Sequence, residues 1–234
     1  MAVDIANGIN WYVVFLFSTS CHEAAHAWMA SKLGDDTARL GGQVTLDPTP
    51  HIRRAPFGMV VVPILSYLSS GSLLGWAHAP YNVEWAKAYP RRCAAMALAG
   101  PTANVLMALL ALVLMRVGCE WGVLQVRPST LLHECVTAKA GVSGFWTFAA
   151  NILGIAFRLN VLLAVLNLLP LPPLDGSNLP LFLLPRDLAS RFWDAIHAPS
   201  ATWIGMMVAY RLLNFVLPPA YAVAAAAARI VCHV

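Results

Sequence analysis

The sequence predicts an all-α polytopic membrane protein, a helix bundle that also contains a small β-hairpin and a re-entrant segment. Apolar residues make up 59% of the chain and charged residues 11%, and the mean hydropathy is +0.66. A soluble globular domain carries about 25% charged residues, so this composition excludes that class. The apolar residues also form long runs between short polar connections, as membrane-spanning helices require.

The net charge is small. It is +4, from 15 Lys and Arg against 11 Asp and Glu. In a membrane protein such an excess reports orientation in the bilayer rather than a polyanionic partner. We therefore expect the lipid bilayer as the surroundings of the chain and no nucleic acid as a partner.

The first predicted span covers residues 9–33, which is long enough to cross a bilayer as a helix. The turn signal Gly34-Asp35-Asp36 ends it. Residues 39–54 then alternate polar and apolar side chains around glycines, which predicts a short hairpin or an extended loop.

The segment 56–76 is apolar but ambiguous. Pro63 interrupts it and Ser69-Ser70-Gly71-Ser72 weakens its second half. It could therefore cross the membrane completely, or enter and return on one side.

The remaining spans are predicted at residues 93–115, 145–168 and 201–228. A polar connection, 116–144, contains Cys119 and Cys135, the one plausible disulfide pair, and whether they are bonded stays open. Residues 186–194 are expected to lie at the membrane interface. Arg158 and Arg211 fall inside predicted spans, where an unpaired charge is costly, and we expect pairing within the bundle or snorkelling.

The motif His22-Glu23-Ala24-Ala25-His26 lies inside the first predicted span. Residues four apart share a helix face, so both imidazoles can reach one metal ion while Glu23 flanks it. A catalytic zinc usually has three protein ligands and one open position. A third ligand must therefore come from elsewhere in the chain.

Asp175 is the best candidate for that third ligand. It follows the end of a predicted span, in a stretch where Pro170, Pro172 and Pro173 forbid a regular helix. Irregular backbone at membrane depth is tolerated where it lines a cavity, and a carboxylate there needs a partner. The other acidic candidates lie in polar connections where water solvates them: Asp4, Asp35, Asp36, Asp47 and Glu84.

Three motifs in this order resemble the site-2 protease family of intramembrane metalloproteases. They are the His-Glu-x-x-His sequence, Ala99-Gly100-Pro101-Thr102-Ala103-Asn104, and the Asn167 to Gly176 stretch with its Leu-Asp-Gly end. The resemblance covers roughly residues 10–180. It implies a minimal form without an inserted PDZ or CBS domain. Residues 1–234 are then expected to form one membrane-embedded protease domain, with the span 201–228 outside its core.

By this resemblance, one Zn²⁺ ion is held by His22, His26 and Asp175, and Glu23 is the catalytic base. The expected reaction is hydrolysis of a peptide bond in or near the transmembrane segment of a single-span membrane protein. Zinc lowers the pKa of a bound water, whose proton Glu23 accepts before returning it to the leaving amine. Asn167 is expected beside the substrate.

From their polarity and position, Asn167 and Asn104 are both expected to donate hydrogen bonds to the substrate backbone. An edge strand around 43–46, with Val44 and Leu46, is expected to clamp the unwound substrate by strand addition.

The two metal motifs meet only if the first span and the span ending at Leu168 run parallel. The span 93–115 then runs antiparallel between them, which requires 56–76 to re-enter. With this topology most Lys and Arg residues fall on the side of loops 34–91 and 169–200, which the positive-inside rule makes cytoplasmic. We expect the plasma membrane as the location.

The same residues allow two other interpretations. A zinc transporter or metal-binding membrane protein would use the same His and Asp as a transit site, but has no use for Glu23. A catalytically dead scaffold is disfavoured because every expected catalytic position is filled.

Overall fold

The computed structural model describes residues 4–70, 73–127 and 134–231. Its architecture is a helical bundle with one two-stranded sheet. The helices are α1 Ile5–Lys32, α2 Thr37–Leu40, α3 Pro48–Arg54, α4 Val62–Ser70, α5 Val83–Ala88, α6 Pro90–Glu120, α7 Gly144–Asn167, α8 Arg186–Ile196 and α9 Pro199–Val231; the strands are β1 Leu124–Val126 and β2 Val136–Ala138. A π-helical turn, Phe57–Val61, precedes α4, and a 3-10 helix, Asp175–Phe182, follows α7.

Three described helices are long and apolar enough to cross a membrane, namely α6, α7 and α9. The predicted first span forms a 28-residue helix, α1, but does not reach the same hydropathy. Its polar side chains lower the average, and they face the interior of the bundle. The buried polar residues of α1 are Ser18, Thr19, Ser20, His22, Glu23 and His26.

The helices α1 and α7 run parallel, as the sequence predicted. Asn10 donates a hydrogen bond to Asn151 at 3.2 Å. About two turns further along both helices, Asn160 donates to the Ser18 hydroxyl at 2.9 Å. Both helices therefore carry their C-terminal parts to the same end of the bundle.

Helix α6 runs antiparallel to both. Near the C-terminal end of α1, His26 bonds the carbonyl of Met96 in the first turns of α6. Further along α6, Ala108 and Met115 share a buried cluster with Ala150 of α7. Contacts near both ends of α6 thus confirm the prediction that it runs antiparallel between two parallel helices, α1 and α7.

The segment 56–76 re-enters rather than crosses. The Tyr67 hydroxyl near the end of α4 donates to the Asp4 carbonyl, at the start of α1, at 2.8 Å. The chain then returns in extended form, and the Asn82 N–H donates to Asp35, beyond the end of α1, at 2.8 Å. The segment therefore begins and ends at the same side of the bundle, and the ambiguity is resolved.

For residues 39–54 the hairpin alternative is wrong, and the loop alternative holds only for the irregular stretch between α2 and α3. This region holds α2, an irregular stretch and α3, which begins at Pro48 with Asp47 as its cap; the Asp47 side chain accepts from the Thr49 N–H at 2.9 Å. An aspartate followed by proline is a strong helix start, and here it outweighs the alternation of polar and apolar residues. The small sheet lies instead in the connection after α6.

In that sheet β1 and β2 are antiparallel, with Gln125 opposite Thr137. The two cysteines of this connection, Cys119 and Cys135, are free thiols. Cys135 is buried, and burial raises the pKa of its thiol to about 11. It therefore behaves as a small apolar residue at neutral pH.

Arg158 of α7 lies between two aromatic rings from different helices. Its guanidinium carbon is 5.7 Å from the ring centre of Trp11 on α1 and 5.5 Å from that of Tyr221 on α9. Cation–π contacts of this kind lower the cost of a buried charge. This is the pairing within the bundle that the sequence favoured, and it connects α9 to the core. Arg211, in contrast, is exposed on α9.

Helix α9 approaches the proline turn after α7 through Gly205. A Cβ atom at Gly205 would collide with the carbonyl of Pro172. We expect Gly205→Ala to lower the free energy of unfolding by about 1–3 kcal/mol, because the backbone must shift to admit the methyl group. Thermal unfolding of the purified protein in detergent measures this loss.

Gly144→Ala is the matched control, because a Cβ at Gly144 meets nothing within 4 Å. Its melting temperature should match that of the wild type. Equal melting temperatures for all three proteins would contradict the close approach of α9 to the proline turn.

Candidate metal centre

Helix α1 presents His22, Glu23 and His26 to the centre of the bundle. These residues are 7%, 4% and 7% exposed. The spacing of four residues brings the two imidazoles together, and their Nε2 atoms are 3.0 Å apart. Helix geometry alone is therefore enough to pair the two histidines.

Asp175 completes the cluster from the first position of the 3-10 helix. Its Oδ2 atom is 3.1 Å from His22 Nε2 and 3.3 Å from His26 Nε2. Within the described residues, these three form the one group of His, Cys, Asp and Glu side chains whose ligand atoms lie close enough to hold a metal ion. The sequence predicted this set.

The donor atoms of this set suit a divalent cation. The Met96 carbonyl can only accept a hydrogen bond, so His26 Nδ1, at 2.8 Å, must donate to it. A neutral His26 then carries its lone pair on Nε2, which faces His22 and the Asp175 carboxylate. Two imidazoles and one carboxylate converging in this way form a typical catalytic zinc ligand set.

A chain of buried amides orients the His22 ring. His22 Nδ1 is 2.6 Å from Asn104 Oδ1, and the Asn104 amide donates to Asn160 Oδ1 at 2.8 Å. Asn160 in turn donates to the hydroxyl of Ser18. Outer partners of this kind fix the tautomer and orientation of a metal-binding histidine.

This network corrects the role expected for Asn104. Asn104 is 0% exposed, and its amide oxygen and nitrogen are engaged by His22 and Asn160. It is enclosed by protein and does not line the cavity, so in this structure it supports the histidine rather than a substrate backbone. Asn160 and Ser18 were missed from the sequence, although an asparagine in the middle of an apolar span is itself a signal.

Gly100 lets α6 approach the two histidines. A Cβ atom at this position would collide with the Nε2 atoms of both His22 and His26. The Gly-Pro pair in the middle of α6 thus has a packing role, because it brings α6 against the ligand atoms without covering them.

A cavity of about 330 Å³ opens beside the cluster. Its wall includes Glu23 and Thr19 from α1, and Asn167 from the end of α7. Asn167 is partly exposed there, next to the expected reaction site. Tyr81 and His197 also line the cavity, and the Tyr81 oxygen is 3.1 Å from His197 Nε2.

Val44 and Leu46 do not lie where the expected clamp required them. They belong to the irregular stretch between α2 and α3, are 40% and 57% exposed, and neither contributes to the cavity wall. The extended backbone beside the cavity is instead the returning segment 73–81, of which residues Gly75 to Tyr81 line the wall. Residues 43–46 therefore form no edge strand beside the cavity, and the prediction of a clamp at these residues is wrong.

Comparison with known proteins agrees with this geometry. Residues 11–209 match the family described as Peptidase family M50. The chain belongs to peptidase family M50. This match confirms the resemblance to site-2 proteases and shows that the chain is a metalloprotease. Three of its described helices are also long and apolar enough to cross a membrane.

Several relatives carry zinc metalloprotease names. “Putative zinc metalloprotease YwhC” of Bacillus subtilis is 29% identical over 78% of this chain and 73% of its own length. “Putative zinc metalloprotease Rip2” of Mycolicibacterium smegmatis is 30% identical over 75% of this chain and 60% of its own length. The protein of that name from Mycobacterium tuberculosis is 33% identical over 69% of this chain and 52% of its own length. No solved structure matches significantly.

We expect Gly100→Ala to abolish metal binding, because the added methyl group lies against the Nε2 atoms of both histidines. The molar ratio of metal to purified protein, measured by inductively coupled plasma mass spectrometry, should fall from about one to near zero. Thr102→Ala, at an exposed position of the same helix, should keep the wild-type ratio. An unchanged ratio in Gly100→Ala would contradict the assignment of these nitrogen atoms as ligands.

Proposed function

We propose that the protein is an intramembrane zinc metalloprotease that hydrolyses peptide bonds in or near transmembrane segments of membrane proteins. The observation that carries this proposal is the meeting of His22, His26 and Asp175 with the Glu23 carboxylate in one cavity. The cavity is lined by residues of α1, α6 and α7. Helices α6 and α7 are long and apolar enough to span a membrane. The names of the relatives support zinc as the metal.

The proposed ligands are His22 Nε2, His26 Nε2 and Asp175 Oδ2, for one ion. Bound there, zinc would polarise a peptide carbonyl and make water a better nucleophile near neutral pH. The chain supplies the rest of the chemistry: orientation of the histidines, a base, and a cavity for the peptide.

Glu23 is the proposed base. Its Oε2 atom is buried and has no hydrogen-bond partner within the described residues. The carboxylate takes one proton from the attacking water as the new C–O bond forms at the peptide carbon. When the C–N bond breaks, Glu23 gives that proton to the leaving nitrogen, so the side chain ends the cycle ionised.

The returning segment 73–81 is the proposed clamp for the unwound substrate. Its wall residues Gly75, Ala77 and Ala79 are small and less exposed than Trp76 and His78 between them. The Leu74 N–H donates to the Ser66 hydroxyl at 2.9 Å, and the Trp76 N–H donates to the Gly58 carbonyl at 3.1 Å. From Ala77 to Tyr81 the backbone makes no hydrogen bond within the described part of the chain. Free amides and carbonyls beside a reaction site can pair with an extended peptide.

The proposed orientation places loops 34–91 and 169–200 in the cytoplasm, with the protein in the plasma membrane. Contacts between the two loops support their shared side: Lys87 pairs with Asp194 at 2.6 Å, and Tyr81 bonds His197. The arginines and lysines of these loops then satisfy the positive-inside rule.

The central test compares wild type with Glu23→Gln. The amide keeps the shape of the side chain but cannot accept the proton, so cleavage of a single-span substrate should fall at least about 100-fold. Fragments are measured by mass spectrometry, and bound zinc in parallel. Zinc flux into proteoliposomes without proteolysis by the wild type would favour a transporter instead.

The clamp is tested by Ala77→Pro, which removes one free N–H beside the cavity. We expect cleavage to fall about tenfold or more while the zinc content and melting temperature stay near wild type. Leu46→Pro, in the stretch away from the cavity, should cleave normally. The reverse pattern, with only Leu46→Pro impaired, would remove the clamp from segment 73–81.

A further inference from the structure

Helix α1 carries two cavity-wall residues with unsatisfied polar atoms. Thr19 is 6% exposed and Glu23 is 4% exposed. Neither Thr19 Oγ1 nor Glu23 Oε2 has a hydrogen-bond partner among the residues that the structure describes. Both residues line the cavity, and their spacing of four places them on one face of α1.

The state of the Thr19 hydroxyl is unusual for a helix. A threonine inside a helix commonly donates to the carbonyl one turn earlier. Thr102 of α6 does so, with its hydroxyl 2.8 Å from the Leu98 carbonyl. Thr19 makes no such bond in the described structure. A buried hydroxyl without a partner is destabilising, and the open side of Thr19 is the cavity.

A single small polar group can satisfy both side chains. Helical side chains lean toward the N-terminus, so the Glu23 carboxylate projects over the turn that holds Thr19. Both oxygen atoms can accept a hydrogen bond. A water molecule that donates one hydrogen to each keeps its lone pairs directed away from α1, toward the cavity where the peptide binds.

We infer that Thr19 is a further catalytic residue, whose hydroxyl accepts a hydrogen bond from the water that Glu23 deprotonates. This fixes both hydrogens of the water and orients its lone pair for attack on the peptide carbon. The inference rests on the proposed function, and it assigns Thr19 a role in the chemical step rather than in binding of the peptide.

Ser20 provides a matched control on the same helix. It is 0% exposed, and its Oγ also lacks a partner in the described residues, yet it does not line the cavity. The loss of a buried, unsatisfied hydroxyl is therefore the same in Ser20→Ala and Thr19→Val. Contact with the reaction site distinguishes the two.

The experiment compares five purified proteins in dodecyl maltoside micelles: wild type, Thr19→Val, Thr19→Ser, Ser20→Ala and Glu23→Gln. The probe is a quenched fluorogenic peptide of about 20 apolar residues with a central Asn-Gly pair that weakens its helix. We measure kcat, KM, zinc content and melting temperature.

Thr19→Val keeps the shape of the side chain and removes the hydroxyl. Its kcat should fall about 10- to 100-fold, the loss typical of one hydrogen bond to a reacting group, with KM within about twofold. Its melting temperature should equal or exceed that of wild type, because an unsatisfied polar group is gone, and its zinc content should not change. Thr19→Ser and Ser20→Ala should keep kcat within about threefold of wild type.

Three results would overturn the inference: an unchanged kcat in Thr19→Val, a change confined to KM, or an equal loss of kcat in Thr19→Ser. If wild type cleaves the peptide and Glu23→Gln does not, the proposed function stands, and these three results bear only on the role of Thr19. If wild type does not cleave, or Glu23→Gln cleaves equally well, the proposed function fails and the role of Thr19 fails with it.

Discussion

The structure depends on the convergence of His22, His26 and Asp175 within 3.0–3.3 Å of one another. Two of these side chains come from α1 and the third follows α7, so both helices must run in the same direction and end at one level. That requirement leaves the antiparallel position between them to α6, and it forces the apolar segment before α6 to return to the side from which it came.

Close packing around the cluster follows from the same requirement. The backbone of α6 passes the two imidazoles at Gly100, where no side chain could fit. On the next turn of α6, Asn104 holds His22 and is itself held by Asn160 of α7. Three helices thus contribute to the position of one ring, and burial of these amides is tolerated because each bond is satisfied.

The sequence predicted the parts of the fold that local patterns or topology decide. The two histidines follow from spacing on one helix, Asp175 from a proline-rich exit of a span, and the re-entrant segment from the direction that the helices must take. Contacts between residues far apart in the sequence could not be predicted from such patterns. Asn104 has the polarity of a substrate ligand, and only the packing of α6 against α1 and α7 shows that its amide is already used. A strand was expected at 43–46 because alternation in 39–54 is visible in the sequence, whereas the extended backbone of 73–81 beside the cavity is set by its docking along α1 and α4.

The position of Arg158 between Trp11 and Tyr221 bears on how the molecule folds. Tyr221 lies beyond residue 209, where the match to the family ends, yet its ring covers one side of a cation inside the bundle. A nascent chain that has inserted α1 and α7 but not α9 lacks the Tyr221 side of this contact. Insertion of the last helix therefore adds an interaction that joins three helices, and it links assembly of the C-terminal helix to that of the inner bundle.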